Sequence, residues 1–541
     1  MKADSRTPQQ ALRELESLRL SFGAAAALRK LLLLRSLARA RFATAPGLVR
    51  LHEHLCFMAA FPDDARVLKL VRALLDGFSR RPDLRRHANA LADSGIAGTR
   101  IHYAFFWPTA RRLACWYPAK LHIDWDAIDD AAPLAAALPQ LVPPVVAAWL
   151  RARDPDVRDT IGRLSRGSTS GSWLVDRVND MPGNDMTREA FFDALDTPFV
   201  LHPGRDTPSR TTARHAGSPV FHVRKPARRD RPDLRQELLR PPRGIRRLSP
   251  REGERLIRLA CGALVTRSRD IDGIAYGDPA DVWLVSDDEG LQWAFFGLVP
   301  ERRQVLRASH GFLTLRSGVP IGYGQFDTLF RTSDVSFNSF GTFRGSSTSW
   351  LFARLLAAAR ALLGAEAFTL DGYQVGHRNE EAIASGAWWF YYRLGFRSRD
   401  PDIRKIAARE VARMRIHPEH RSTPATLRRL AAGTLYFETA GVRAPEWERL
   451  LDLGARVAAP GTRSAQSDRR GPGSHVGVER WAPLVALLPI ERWSVEERRS
   501  LARVIDAKGR RSERDYLRAF DAHPRLAPAL RRLMGGMPRT R

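Results

Sequence analysis

The sequence predicts an α+β protein in which a central mixed β-sheet domain is flanked by α-helical regions on its N-terminal and C-terminal sides. Three observations predict this fold class. Apolar residues recur at helical spacing in both flanks, as in "DARVLKLVRALLDGF" near the N-terminus. Between the flanks, alternating apolar runs meet at turn residues, as in "DVWLVSDDEGLQWAFFGLV". A strand, helix, strand, helix, strand order then follows, which is typical of a mixed sheet.

The predicted domain boundaries follow changes in composition. Residues 1–166 are expected to form a helical domain, 167–247 a linker rich in Ser, Pro and Arg, 248–402 the sheet domain, and 403–541 a C-terminal helical region. The linker contains "GRDTPSRTTARHAGSP" and "RKPARRDRPDLRQELLRPPRGIRR", whose compositions are typical of loose connections.

The elements of the sheet domain follow in a clear order. A helix begins at "SPREGERLIRLACGALVTR", capped by Ser249, and is followed by strands with predicted turns at 288–290 and 317–318. Next come the strand and helix of "SFNSFGTFRGSSTSWLFARLLAAARALLG", a short strand "AFTLDGYQV", and a final helix and strand in "AIASGAWWFYYRLGFRS". In the C-terminal region, Ser494 and Glu497 predict a capping box.

The chain is strongly basic, with 87 Lys and Arg against 59 Asp and Glu and a formal net charge of +28. Clustered cations neutralise phosphates, so the arginine clusters of the linker predict a weak contact with nucleic acid. The alternative is a solvated linker and a general bias of composition, because the excess is almost all arginine and is spread along the chain.

Cysteine and histidine patterns indicate neither a disulfide framework nor a metal site. Cys56, Cys115 and Cys261 lack paired spacing, and the "HEH" and "HPEH" stretches lack the HExxH spacing of metal helices. We therefore expect no metal. The most apolar N-terminal stretch, "AAAALRKLLLLRSLARARFA", is interrupted by charges, so neither a membrane span nor a signal peptide is predicted. A cytoplasmic protein without a membrane partner is expected.

Small residues occupy the start of one predicted helix, in "FRGSSTSWLFARLL". A helix N-terminus carries a partial positive charge and unpaired N–H groups, and small side chains let an anion approach them. Hydroxyl groups can add donors, and an arginine can pair with a phosphate. The alternative is an ordinary helix cap. The residues predicted to bind the anion are Arg344, Gly345, Ser346, Ser347, Thr348 and Ser349.

The region of about 249–401 resembles the GNAT acyltransferases. "FRGSSTSWLFARLL" looks like the pyrophosphate loop of that family, and "AWWFYYRLGFRS" is similar to its late helix and strand, with Tyr391 in the place of the usual tyrosine. The resemblance implies acetyl-CoA or another acyl-CoA as co-substrate, held by Phe340, Thr342 and residues 344–349. It also implies an N-acyltransferase that moves the acyl group directly from the thioester to an unidentified amine.

Direct transfer requires a base for the amine and an acid for the departing thiolate. The resemblance implies Tyr391 as the acid. Asp371 and Glu380 are the candidate bases, because they lie at or just past the end of "AFTLDGYQV", with His377 between them. A backbone amide of residues 337–340 is the expected partner of the thioester oxygen. The alternative for each carboxylate is a capping or solvated residue, and for the tyrosine a place in the core.

A second function stays open, that of a catalytically inactive GNAT-like scaffold that binds protein or nucleic acid through its helical flanks. Ser347 and Ser349 stand where the family has glycines, which favours the scaffold. Arg344, Gly345 and Tyr391 match the family and favour the enzyme.

Overall fold

A computed structural model provides the fold of the chain. It describes residues 7–153, 155–217, 219–222, 232–345, 347–439, 441–458 and 476–535, with only the backbone for 476–479. The chain divides into two compact units. The first comprises 1–227, 255–275 and 315–321, and the second comprises 228–254, 276–314 and 322–541.

The first unit is mostly helical and contains a small antiparallel sheet. Its elements are α1 (Pro8–Ser17), α2 (Ala24–Arg39), α3 (Ala45–Ala60), α4 (Ala65–Asp76), α5 (Pro82–Arg86), β1 (Ile101–Tyr103), α6 (Trp107–Trp116), β2 (Leu121–Ile123), α7 (Ala132–Ala137), α8 (Pro144–Arg153), α9 (Val157–Leu164), α10 (Ser170–Asn179), α11 (Asp185–Ala194) and β3 (Phe199–Leu201). The strands lie in the order β1-β3-β2. In α4 the predicted apolar stripe buries Val67, Leu68, Val71 and Leu75.

The second unit is built on a large mixed sheet. In chain order the elements are α12 (Leu234–Leu239), β4 (Gly244–Arg247), α13 (Pro250–Val265), α14 (Asp272–Ala275), β5 (Gly277–Ser286), β6 (Leu291–Leu298), β7 (Ala308–Arg316), β8 (Val319–Leu329), β9 (Thr332–Ser339), α15 (Thr348–Leu363), β10 (Ala367–Leu370), α16 (Gly372–Val375), α17 (Glu380–Ser385), α18 (Ala387–Arg393), β11 (Arg397–Ser398), α19 (Pro401–Ile416), α20 (Pro424–Leu430), β12 (Leu435–Glu438), α21 (Arg449–Ala458), α22 (Val476–Val485), α23 (Val495–Arg510), α24 (Glu513–Ala522) and α25 (Leu526–Gly535). Three of these elements, α13, β7 and β8, lie partly in the first unit, and α14 lies wholly in it.

The strand order of this sheet is β11-β12-β10-β9-β8-β7-β6-β5-β4. β9 and β10 run parallel, whereas β8 with β9, β10 with β12, and β11 with β12 run antiparallel. The predicted combination of helices with a mixed sheet is therefore confirmed. The sheet extends past residue 402, because β12 lies within the region predicted to be helical and inserts between β10 and β11.

Residues 167–247, predicted to form a linker, contain α10, α11, β3, α12 and β4. All three residues of β3 are buried, so this segment contributes to the core of the first unit. The basic stretch at 223–231, for which a nucleic-acid contact was one prediction, lies outside the described residues.

Several local predictions are confirmed. The side chains of Ser249 and Glu252 bond reciprocally with the backbone at the start of α13. Residues 288–290 turn the chain between β5 and β6, and residues 317–318, both at positive φ, turn it between β7 and β8. Ser494 forms the predicted capping box at α23.

One predicted strand ends early, and one predicted helix is divided in two. The strand "AFTLDGYQV" stops at Leu370, because the Asp371 side chain accepts a hydrogen bond from the backbone of Gln374 and caps α16. The final helix is divided into α17 and α18 at Gly386, whose left-handed φ of 66° interrupts the helix.

Arg354 anchors α15 against the preceding part of the second unit. Its side chain is fully buried and ion-paired with Asp287, from Nε to Oδ2 at 2.7 Å. Its terminal nitrogens donate to the carbonyl oxygens of Glu237 and Arg240 at 2.8 Å and of Pro241 at 3.3 Å. A buried guanidinium is stable only with such a full set of acceptors, so α15 is held firmly in place.

Candidate functional site

The parallel strands β9 and β10 separate part-way along β9. Their pairing covers three positions and ends at Asp334 opposite Thr369. β10 continues only to Leu370, whereas β9 continues to Ser339 and stays paired with β8 along its length. Residues 335–339 of β9 therefore lie beyond the last pair with β10, and we call this unpaired edge of β9 the strand gap.

The chain leaves β9 through a buried turn. Phe340 and Thr342, both predicted to contact the cofactor, are each 6% exposed. Arg344 follows on the surface, where Nε donates to the carbonyl oxygen of Ser339 at 3.0 Å. Its Nη2 lies 2.7 Å from Oε1 of Glu381 in an exposed ion pair. The arginine predicted to bind phosphate is thus close to the strand gap and already holds one carboxylate.

The loop of residues 344–349, here called the small-residue loop, closes on itself before α15. The amide of Gly345 donates to Oγ1 of Thr348 at 3.3 Å, and the amide and hydroxyl of Thr348 donate to the carbonyl of Gly345 at 3.1 and 2.8 Å. Ser347 is the N-cap of α15 but makes no side-chain cap bond. Ser349 is half-buried in the first turn, and Ser346 lies outside the described residues.

Tyr391 is connected to the strand gap through Gln374. The tyrosine is 2% exposed, and its ring packs edge-on against Phe352 of α15 at 5.3 Å. Its hydroxyl accepts a hydrogen bond from Nε2 of Gln374 at 2.8 Å, and the same nitrogen donates to the carbonyl of Phe337 at 2.9 Å. Burial raises the pKa of Tyr391 well above its usual value, against the weaker opposing effect of the Gln374 bond.

The two predicted bases are engaged elsewhere. Asp371 is exposed and caps α16, because its Oδ1 accepts a hydrogen bond from the backbone N–H of Gln374 at 2.9 Å. Glu380 is exposed and pairs with Arg428 at 2.9 Å, a hydrogen bond that lowers the pKa of the Glu380 carboxyl. His377 is also exposed. Asp371 therefore positions the helix that presents Gln374, and Glu380 forms a surface ion pair.

Asp334 is a candidate base that the sequence analysis missed. It occupies the last paired position before the strand gap, and Oγ1 of Thr369 donates to its Oδ1 at 2.5 Å. The Thr369 hydroxyl in turn accepts from Nε1 of Trp447 at 2.8 Å. Burial raises the pKa of Asp334 to about 7, with further upward effects from Asp371 and Asp327.

Asp334 belongs to a polar face of the sheet. It pairs in register with Asp327 of β8, whose carboxylate accepts hydrogen bonds from Gln325 and Ser309. The sequence signal was the alternation in "TSDVSFNS", in which Asp334 and its neighbours at i+2 and i+4 are polar while Val335 and Phe337 are apolar. The predicted bases Asp371 and Glu380 follow a strand, whereas this carboxylate lies within one.

Comparison with known proteins gives no assignment: no family model, curated protein or solved structure matches the chain. In the described part of the chain, no group of three or more His, Cys, Asp or Glu is placed to hold a metal ion. None of the described helices is long and apolar enough to cross a membrane.

Proposed function

We propose that the chain is an acyl-CoA-dependent N-acyltransferase that transfers the acyl group directly from the thioester to an amine, with acetyl-CoA as the first co-substrate to test. The separation of β9 from β10 after Asp334 is the observation that supports this most strongly. A strand edge that leaves its neighbour must find other hydrogen-bonding partners. The amide groups of a pantetheine arm are suitable partners for such an edge.

The contact between Gln374 and Phe337 supports this use of the edge. The carbonyl of Phe337 lies on β9 beyond the last pair with β10 and accepts an amide N–H from the Gln374 side chain. A carboxamide therefore already occupies this edge of the strand gap. In our proposal, an amide of the acyl-CoA arm takes the place of Gln374 or binds beside it.

The small-residue loop supplies the anion-binding end of the proposed site. α15 begins at Thr348 without a side-chain cap from Ser347, so no hydroxyl of the N-cap competes for its first-turn N–H groups. Arg344 stands at the other end of the loop and is half-exposed. A diphosphate can exchange for Glu381 on this arginine, because an exposed ion pair contributes only about 0–1 kcal/mol.

The proposed chemistry uses two groups on opposite sides of β9. The amine nitrogen attacks the thioester carbonyl carbon, forming a C–N bond as the C–S bond breaks. Asp334 takes the proton released by the amine, and its pKa of about 7 suits a base at neutral pH. In the acid role that the resemblance implies, Tyr391 donates a proton to the departing thiolate and regains one from water, since burial raises the pKa of the tyrosine and favours the neutral phenol.

The second candidate is the inactive scaffold, and specific contacts favour it. Arg344 is paired with Glu381, and the Gly345 amide is used within the loop. Tyr391 is almost fully buried. A scaffold of this kind requires no acyl-CoA, so cofactor binding separates the two functions.

Thermal unfolding with acetyl-CoA, compared with free coenzyme A, tests the proposal. A ligand that binds only the folded state raises the melting temperature. We expect Gly345→Phe to abolish this rise, since the added ring fills the approach to the loop. No atom lies within 4 Å of a Cβ built at Gly345, so the variant itself should fold. Gly454→Phe, at an equally open position in α21, is the matched control and should keep the rise.

Release of free thiol in the presence of a panel of amines then measures turnover. Acyl transfer to at least one amine supports the enzyme. An absence of any thermal shift with acetyl-CoA or coenzyme A contradicts the proposal and leaves the scaffold. A thermal shift that Gly345→Phe does not change would show that acetyl-CoA binds elsewhere than at the small-residue loop.

A further inference from the structure

A second basic region of the second unit forms a cavity of about 260 Å³, which we call the arginine cavity. It lies between the chain that follows β11, the turn after β12, the start of α21 and the end of α25. Its ionisable and bulky lining residues are Arg399, Arg443, Glu446, Arg449, Arg531 and Met534. None of these residues belongs to the proposed acyl-CoA site.

Two of the four arginines are already neutralised. Arg399 forms an ion pair with Glu438, and also donates to the carbonyl of Ala444 at 2.9 Å. Arg449 lies 2.8 Å from the carboxylate of Glu446. These two guanidinium groups therefore have anionic partners within the protein.

The other two arginines form no ion pair in the part of the chain that the structure describes. Arg531 stacks over the ring of Phe330 at 4.6 Å, and its Nη1 makes a 3.4 Å contact with the backbone carbonyl of Arg443. Burial lowers the pKa of Arg531, which reflects the cost of holding this charge partly out of water. The Arg443 side chain is exposed at the cavity.

The charge balance therefore favours an anion. Four guanidinium groups and the two carboxylates of Glu438 and Glu446 leave a net charge of four minus two, or +2, around the cavity. We infer that the arginine cavity is a binding site for a small phosphorylated ligand, held by the guanidinium groups of Arg443 and Arg531. Arginine suits this ligand because its planar donors can bind two phosphate oxygens at once.

The size of the cavity restricts the ligand. Sites for drug-sized molecules have volumes of about 300–1,000 Å³, so a cavity of about 260 Å³ fits a smaller compound. Met534 and Pro445 add apolar lining beside the charges. A diphosphate, or a phosphate ester with a small organic group, matches this combination of charge, volume and lining.

Isothermal titration with inorganic pyrophosphate at constant ionic strength tests the inference on the full-length protein. We expect saturable binding that weakens at least tenfold in Arg443→Ala and in Arg531→Ala. Arg415→Ala removes the same charge from an exposed position in the last turn of α19 and should bind as the wild type does. Arg443→Lys keeps the charge but loses the paired donors, so it should bind with intermediate affinity.

Pyrophosphate can also be drawn to the small-residue loop, and Arg344→Ala distinguishes the two places. Unchanged pyrophosphate affinity in Arg344→Ala supports the arginine cavity. Loss of binding in Arg344→Ala with retention in Arg443→Ala overturns the inference, as does an equal loss in Arg415→Ala, which would indicate general attraction to a basic protein. Absence of saturable binding overturns it as well. If Arg531→Ala unfolds, the exposed Arg443 supplies the decisive variant.

Discussion

The two faces of β9 differ sharply in composition and in what they contact. On one face, Val335 and Phe337 are buried, and the Phe337 ring lies 5.1 Å from Phe352 of α15. On the other face, Asp334, Ser336 and Asn338 are half-buried and polar. Side chains of a strand alternate between its faces, so one strand can stabilise the core and also present reactive groups. The packing of α15 therefore depends on one face of β9, whereas the proposed base, Asp334, lies on the other face.

The largest effect is expected from Asp334→Asn. Loss of a general base lowers the rate by about 10²–10⁴-fold, so kcat for acyl transfer should fall by this amount. The thermal shift with acetyl-CoA should remain, because the cofactor contacts we propose do not include this side chain. Asp327→Asn is the matched control on the neighbouring strand and should have a smaller effect on kcat. Equal losses in both variants would show that the carboxylates act only through the local charge.

The pH dependence of the wild type sharpens the same test. Because the pKa of folded Asp334 is raised from 3.8 to about 7, the rate should rise with pH through about 7 and then level off. The stability effect has the opposite sign. The folded state holds this proton where the unfolded state has lost it, so stability from this group should fall as pH rises from about 4 to about 7. Asp334→Asn should lack both changes, and an unaltered pH profile in the variant would exclude Asp334 as their source.

Substitutions on the apolar face of β9 should change the free energy of unfolding rather than the rate of acyl transfer. Phe337→Ala removes a buried ring and should lower the free energy of unfolding by about 3–5 kcal/mol. Asn338→Ala, on the polar face, should change it by no more than about 0.5 kcal/mol. Urea denaturation measures both. Similar losses of unfolding free energy in the two variants would contradict the assignment of core packing to the apolar face of β9.

A smaller effect on rate is expected from Tyr391→Phe. The variant loses the proposed acid, but a thiol with a pKa near 8.5 leaves readily even without one. We therefore expect kcat to fall about a hundredfold, at the lower end of the range for acid–base catalysis, with acetyl-CoA binding retained. A wild-type rate in single-turnover measurements would remove Tyr391 from the acid role.

The smallest effect is expected from Gln374→Ala. The variant loses two hydrogen bonds, to Tyr391 and to Phe337, which should lower the free energy of unfolding by about 1–3 kcal/mol. Because the Gln374 amide occupies the edge of the strand gap, its removal should also increase the thermal shift with acetyl-CoA. Gln292→Ala, which removes a single side-chain bond to Ser286 between β5 and β6, is the control. A decreased shift would indicate that Gln374 helps to bind the cofactor.

Local features were predictable from the sequence, because their causes lie within a few residues. The cap at Ser249, the capping box at Ser494 and the turn at 317–318 depend only on neighbouring backbone groups. The four residues of β12 were missed, because so short a segment becomes a strand only through its pairing with β10. Both the strand gap and the place of Asp334 at its edge depend on the register of strands that are distant in sequence.

The buried guanidinium of Arg354 limits how the strand gap can widen. If α15 slid or rotated, this cation would lose acceptors on Asp287 and on the backbone of Glu237 and Arg240 that water cannot replace inside the core. We therefore expect α15 to keep its position when the strand gap widens. The short helices after β10 are tied instead by exposed ion pairs, Glu380 with Arg428 and Glu381 with Arg344, and such pairs contribute only about 0–1 kcal/mol. Binding of a ligand in the strand gap is therefore expected to displace these short helices and to leave α15 in place.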